Sequence, residues 1–282
     1  MPDILNEHAC FGGIQRFYRH DSSAIGLPMK FSVYLPPEAQ AHEDKLPVLF
    51  YLAGLTCTEE TFMIKAGAQR IASELGIILV APDTSPRGAD VPGESDSWDF
   101  GLGAGFYLDA TQEPWARHYR MESYLLELRA LVLDTLPADP ERIGIFGHSM
   151  GGHGALTMAL RHPALFRTVS AFAPIAAPSQ CPWGKKAFGG YLGADEAAWQ
   201  DHDASALMAR QQKAPFPGGI LVDQGLGDKF LAEQLLPEAF EAACAAVGQP
   251  LELRRHAGYD HGYYFISTFV EDHLRFHRRQ LG

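Results

Sequence analysis

The pentapeptide Gly147-His148-Ser149-Met150-Gly151 sets a serine between two glycines, directly after the apolar run Ile143–Phe146 and directly before the small residues Gly151-Gly152-His153-Gly154-Ala155-Leu156. A G-x-S-x-G motif between a strand and a helix describes a strained elbow that lifts the serine Oγ above the end of a sheet. Side chains at the flanking positions would collide with the neighbouring strand and helix, which is the physical reason for glycine there. The helix that follows also aims free N–H groups and its positive dipole end at the reacting centre. The bland alternative is a tight strand–helix turn that happens to hold a serine.

A serine hydroxyl is a poor nucleophile until a base takes its proton, and the base must itself be oriented by a carboxylate. On an elbow of this kind the chain order is serine, acid, histidine. His148 adjoins Ser149, so its side chain is expected to point away. His153 sits on the following helix, where it packs or faces solvent, and His256 ends a strand. His261, in Ala257-Gly258-Tyr259-Asp260-His261-Gly262, lies beyond the carboxyl end of the last strand, where open α/β sheets bind their ligands. His261 is the expected base. Asp260 is its neighbour and cannot easily reach across to orient the ring. Asp223 ends a strand, whereas Asp228 lies past the same sheet edge in the glycine-bearing loop Gln224-Gly225-Leu226-Gly227-Asp228. Asp228 is preferred because the acid must reach over the top of the sheet, and the alternative for either residue is a turn aspartate.

Two backbone N–H groups complete this chemistry by holding the oxyanion that forms on attack. One belongs to the residue after the nucleophile, Met150. The other follows an early strand, and Val48–Ala53 leading into Gly54-Leu55-Thr56-Cys57 points to Leu55. Cys57 is a rival nucleophile only if it has a base of its own, and a small buried residue is its ordinary reading.

These groups must be positioned by a sheet. Strands are expected at Phe11–Arg19, Lys30–Leu35, Val48–Leu52, Ile77–Ala81, Ile143–Phe146, Val169–Ala173, Ile220–Asp223 and Leu251–His256, the later ones almost wholly apolar, as parallel strands covered on both faces are. Helical stripes alternate with them at Glu60–Leu75, Tyr119–Leu136, Lys229–Val247 and Tyr263–Arg278. The alternation predicts a mainly parallel, doubly wound α/β sheet, and the first two strands, with no helix between them, predict an antiparallel edge. No linker or repeat divides residues 1–282, so one domain is expected. Residues 82–117 and 175–218 are long, weakly periodic and rich in Gly, Pro and aromatics, and are expected to be ordered loops over a site.

The 282 residues carry a net charge of −11, without the basic surface that a nucleic acid or an anionic membrane requires. The N-terminal stretch lacks the apolar core of a signal peptide, and no apolar run approaches a membrane span. Four cysteines without a CxxC pair suit free thiols in a reducing cytoplasm. HExxH is absent, and His273 and His277, four apart on a helix, read as solvated residues, so no metal is expected. Gly101-x-Gly103-x-Gly105 is not a dinucleotide fingerprint, and no cofactor is expected either.

The segments Gly54-Leu55-Thr56-Cys57-Thr58, Gly147–Gly154, Asp223-Gln224-Gly225 with Asp228, and Tyr259-Asp260-His261 occur in order. Ser97-Trp98-Asp99-Phe100-Gly101-Leu102-Gly103-Ala104-Gly105-Phe106-Tyr107 precedes Asp109-Ala110-Thr111. With these, the chain resembles the S-formylglutathione hydrolases, the esterase D family, from about Phe11 to the C-terminal helix. The resemblance implies an α/β-hydrolase fold and a cytoplasmic, homodimeric serine thioesterase that converts S-formylglutathione to glutathione and formate and also cleaves small esters. Its triad falls on Ser149, Asp228 and His261, and it implies a cysteine at 57 close enough to the site for thiol reagents to block it. A formyl group asks for a tight acyl pocket, with Trp98, Phe100 and Trp183 as its walls. Lys65, Lys185 and Lys186 are possible partners for the charged ends of glutathione, though a lone lysine is ordinarily solvated. Gly262 departs from the serine found in many members. The rival readings are a broad-specificity carboxylesterase on the same triad and a non-catalytic binding protein of the same fold.

Overall fold

The computed structural model describes residues 2–40 and 45–282. Nine strands form one sheet: β1 Asp3–Cys10, β2 Gly13–Asp21, β3 Pro28–Leu35, β4 Leu46–Leu52, β5 Ile78–Pro82, β6 Ala138–His148, β7 Thr168–Phe172, β8 Ile220–Gly225 and β9 Leu251–His256. Their order is β1-β2-β3-β5-β4-β6-β7-β8-β9. The pairs from β5 to β9 are parallel, and β1, β2, β3 and β5 meet antiparallel. The antiparallel edge is thus one strand larger than the sequence suggests. β1 is exposed along most of its length and has no alternating face to reveal it. It is held to β2 by backbone pairing and by Arg16–Glu7 and Arg19–Asp3 ion pairs, and such charges discourage a sheet edge from pairing further.

The helices are α1 Glu59–Lys65, α2 Ala68–Leu75, α3 Met121–Thr135, α4 Met150–Arg161, α5 Pro182–Tyr191, α6 Glu196–Trp199, α7 Ala204–Ala209, α8 Pro237–Val247 and α9 Tyr263–Leu281. Two expected helices are broken where backbone chemistry demands it. Gly67 at φ 69° separates α1 from α2. Before α8, Pro237 keeps Leu236 out of the helical region, and the segment ahead of it is a single wide turn over Leu231–Leu235. Residues 175–218, expected as loop, hold α5 to α7. α3 buries Met121, Tyr124, Leu125, Leu128 and Val132, the stripe read from the sequence.

The parallel strands are apolar because both faces are covered. On β6, Gly144 and Phe146 face α9: a Cβ on Gly144 would lie 2.8 Å from His277 Nδ1, and the Phe146 ring is 5.7 Å from that of His277. His273 and His277 are therefore not solvated, contrary to expectation. Both are fully buried and bridge α9 to β7, with His273 Nδ1 2.8 Å and His277 Nε2 2.9 Å from Ser170 Oγ, and His277 Nδ1 2.6 Å from Thr168 Oγ1. The segments after β4, β6, β8 and β9 emerge at one rim.

Candidate active site

At the end of β6 the chain turns so sharply that Ser149 takes φ 57° and ψ −119°, a conformation that L side chains rarely adopt. The surroundings enforce it. A Cβ on Gly151 would lie 1.9 Å from the Leu52 carbonyl oxygen, and one on Gly147 would lie 2.2 Å from the Gly151 carbonyl oxygen. The elbow and β4 touch backbone to backbone, so only glycine fits. Ser149 N–H donates to the Phe172 carbonyl at 3.0 Å, and α4 begins at Met150.

Across the rim, His261 Nδ1–H donates to Asp228 Oδ2, whose carboxylate is wholly buried. Asp228 Oδ1 accepts the Phe230 N–H at 2.8 Å. The loops carrying acid and base are stapled together, Leu226 N–H to the His256 carbonyl at 2.9 Å and Gly227 N–H to the Tyr259 carbonyl at 2.8 Å. Asp223 is engaged elsewhere. Arg254 grips both its oxygens at 2.6 Å, and His256 and His273 stand at 3.1 and 3.2 Å. These partners hold the Asp223 carboxyl below the usual carboxylate range against the opposing cost of its burial. Asp260 caps its own turn, accepting Gly262 N–H at 2.8 Å. Of the three aspartates considered, Asp228 is the one that meets His261.

Ser149 and His261 line one pocket of 150 Å³ at this rim. No hydrogen bond joins them among the described residues, a separation common in unliganded sites that tighten on binding. Gly54 brings the oxyanion loop against the serine: a Cβ there would lie 3.2 Å from Ser149 Cβ. Thr56 N–H is fixed to the Gly103 carbonyl at 2.9 Å and Cys57 N–H to the Gly54 carbonyl at 3.3 Å. The N–H groups of Leu55 and Met150 have no backbone acceptor among the described residues; that of Met150 opens a helix, where none is available.

Trp98, Trp183 and Cys57 line the pocket, and Phe100 does not. Phe100 stacks instead on Tyr191 at 4.6 Å and meets Trp115 edge-on at 4.7 Å, an aromatic cluster that supports the 97–107 segment from behind. Lys186 is also committed, donating to Ser97 Oγ at 2.7 Å and pairing with Asp99, which braces the loop bearing Trp98. Lys65 stands beside the pocket over the Tyr263 ring at 5.8 Å, and Lys185 is simply exposed. Burial pushes the Cys57 thiol up, away from the thiolate that a nucleophile needs, outweighing the hydrogen bonds from Thr61 and Tyr263 and the charge of Lys65.

Three pocket residues were not read from the sequence: Phe230, Tyr263 and His148. His148 does not point away from the site. Alternation along β6 puts it on the face of Gly144 and Phe146, over the start of α9, with its ring centroid 4.4 Å from that of His261. That period-two pattern was the available signal. His153 packs inside, its Nε2 3.1 Å from the Phe106 carbonyl, and burial pushes its pKa down to about 3.

The family model described as "Putative esterase" matches residues 22–276. The chain belongs to that esterase family. Among esterases of known name, the S-formylglutathione hydrolase of Rattus norvegicus is 52% identical over 280 residues, covering 99% of this chain and 98% of its own. That of Paracoccus denitrificans is 52% identical over 281 residues, with the same coverage. The solved S-formylglutathione hydrolase of Agrobacterium tumefaciens superposes with a TM-score of 0.95 at 50% identity, covering 99% of this chain and 100% of its own. A ferulic acid esterase with a TM-score of 0.74 at 19% identity shares the fold alone. The esterase has the α/β-hydrolase architecture: a mainly parallel sheet, an antiparallel edge and helices on both sides.

Proposed function

We propose that this protein is a serine thioesterase that hydrolyses S-formylglutathione to glutathione and formate, with Ser149 as nucleophile, His261 as base, Asp228 as its orienting acid, and the N–H groups of Leu55 and Met150 as the oxyanion hole. The observation that carries the reading is the convergence of the elbow serine and the His261–Asp228 pair on one pocket of 150 Å³, small enough to favour a short acyl group. The curated relatives give the substrate class.

In the first half-reaction the Ser149 proton passes to His261 Nε2 as Oγ adds to the formyl carbon, and the two N–H groups receive the negative oxygen. Each such donor supplies about 3 kcal/mol to the transition state. Collapse breaks the C–S bond. Glutathione thiolate leaves readily, since thiols have a pKa near about 8.5, and takes its proton from His261. Water then adds to the formyl-enzyme, giving its proton to His261; the second collapse releases formate and returns that proton to Ser149. No cofactor takes part. The Trp98 and Trp183 walls admit other short acyl groups, so small carboxylic esters are side substrates. A cytoplasmic setting is proposed from the free thiols Cys10, Cys57, Cys181 and Cys244, and a homodimer from the family resemblance; no helix among the described residues is long and apolar enough to cross a membrane.

The deciding experiment compares kcat/KM for S-formylglutathione with that for p-nitrophenyl acetate. A strong preference for the thioester is expected; an equal or inverted ratio would make the protein a general carboxylesterase. Ser149→Ala should abolish both activities and fluorophosphonate labelling, and a mass of one chain on sedimentation would overturn the dimer.

A further inference from the structure

His148 is a buried imidazole for which the mechanism above has no use. Its exposure is 5%, it lines the pocket, and neither ring nitrogen meets a protein partner among the described residues. Orphaned buried nitrogens are rare and destabilising, and each one asks for an explanation. Its neighbours are the site itself. The ring lies 4.4 Å from His261 by centroids and 6.3 Å from Tyr263, and Nδ1 would be 3.2 Å from a Cβ on Gly54, at the base of the oxyanion loop. The carbonyl of His261, which receives no N–H among the described residues, lies near enough to draw His148 slightly toward its protonated form. Burial and the neighbouring His261 act far more strongly the other way and keep His148 neutral. An imidazole held neutral in this way is a weak base.

Two hydrogen bonds at His261 are thus unmade among the described residues: that of its ring with Ser149, and that of its carbonyl with His148. We infer that His148 is a positioning residue for His261, whose ring N–H engages the His261 carbonyl as the imidazole closes on Ser149, so that the two bonds form together. The inference rests on the proposed triad but not on the identity of the substrate.

The test uses His148→Phe, which keeps a ring without a donor, and His148→Gln, which restores a donor without a ring. Fluorophosphonate labelling rate and p-nitrophenyl acetate kinetics are followed in the whole enzyme. His148→Phe is expected to lower kcat and the labelling rate about tenfold to a hundredfold, the cost of a misplaced base, with KM within about twofold. His148→Gln should recover part of that loss. Wild-type rates in His148→Phe, or equal losses in both variants, would overturn the inference. If His148→Phe does not fold, 15N-histidine NMR of the wild type decides: on phosphonylation of Ser149 the His148 N–H should move downfield and exchange more slowly, and an unmoved signal would refute the role. Wild type that labels rapidly yet leaves S-formylglutathione intact would overturn the substrate assignment and leave this inference standing.

Discussion

Two aspartates lie in or just after the same strand and both face histidines, yet they are put to different ends. Asp223, within β8 inside the sheet, is saturated: one guanidinium on both oxygens, two imidazoles beside it, and through His273 a chain running to Ser170, His277 and Thr168. Asp228 has one histidine, and that histidine opens on a pocket. The side chain of His261 is 16% exposed and that of His273 is 0%. The ingredients are alike, and His256 beside Asp223 is as exposed as His261; what separates the reactive pair from the structural one is that the imidazole of His261 faces the pocket lined by Ser149.

The largest expected effect tests the reactive pair. Asp228→Asn should reduce kcat roughly 10⁴-fold by presenting the wrong His261 tautomer, with the melting temperature little changed. Asp223→Asn should do the reverse: it leaves the partly exposed Arg254 with Asp272 as its one remaining carboxylate partner, and should cost about 2 kcal/mol in urea unfolding, while kcat per folded molecule stays near wild type. A collapse of kcat in Asp223→Asn at unchanged stability would erase the distinction. Acid sharpens it further. Because its partners hold the Asp223 carboxyl below its ordinary value, its stabilising effect is complete above about pH 4 and drains as pH falls from there toward the depressed value. The stability gap between wild type and Asp223→Asn should therefore be constant above about pH 4 and narrow steadily as the pH is taken below it. The smallest effect concerns the loop of the base. Gly262 is the N-cap of α9 and supplies no side-chain cap, and at φ −89° it is not a position that requires glycine. The nearest atoms a Cβ there would meet are those of the Asp260 carboxylate, from 3.2 Å. Gly262→Ser should stabilise by a few tenths of a kcal/mol, read as a slightly higher melting temperature, and change kcat less than about twofold.

Much of this was legible in the sequence because the chemistry imposes local rules. Gly147 and Gly151 announce an elbow since only hydrogen fits against the Leu52 and Gly151 carbonyls, and the order of Ser149, Asp228 and His261 follows from the sheet that presents them. What escaped is decided by contacts that a one-dimensional pattern does not carry. β1 has no buried face. Phe100 and Trp98 are alike as neighbours in sequence, but one joins the Trp115–Tyr191 cluster and the other lines the pocket. His273 and His277 read as polar helix residues until β7 supplies Ser170 and Thr168. For His148 adjacency to Ser149 was the wrong guide, and strand alternation the right one.

The backbone contact beneath Ser149 has a practical consequence for redesign. A carbonyl 1.9 Å from where a methyl would stand leaves no gradual route to a roomier elbow; any added atom there displaces the nucleophile from its partners. Trp98 is different: it is 56% exposed, on a loop whose support comes from Lys186 and from the aromatic cluster behind Phe100. Anyone wishing to admit bulkier acyl chains should carve the indole wall and leave the hinge of glycines alone.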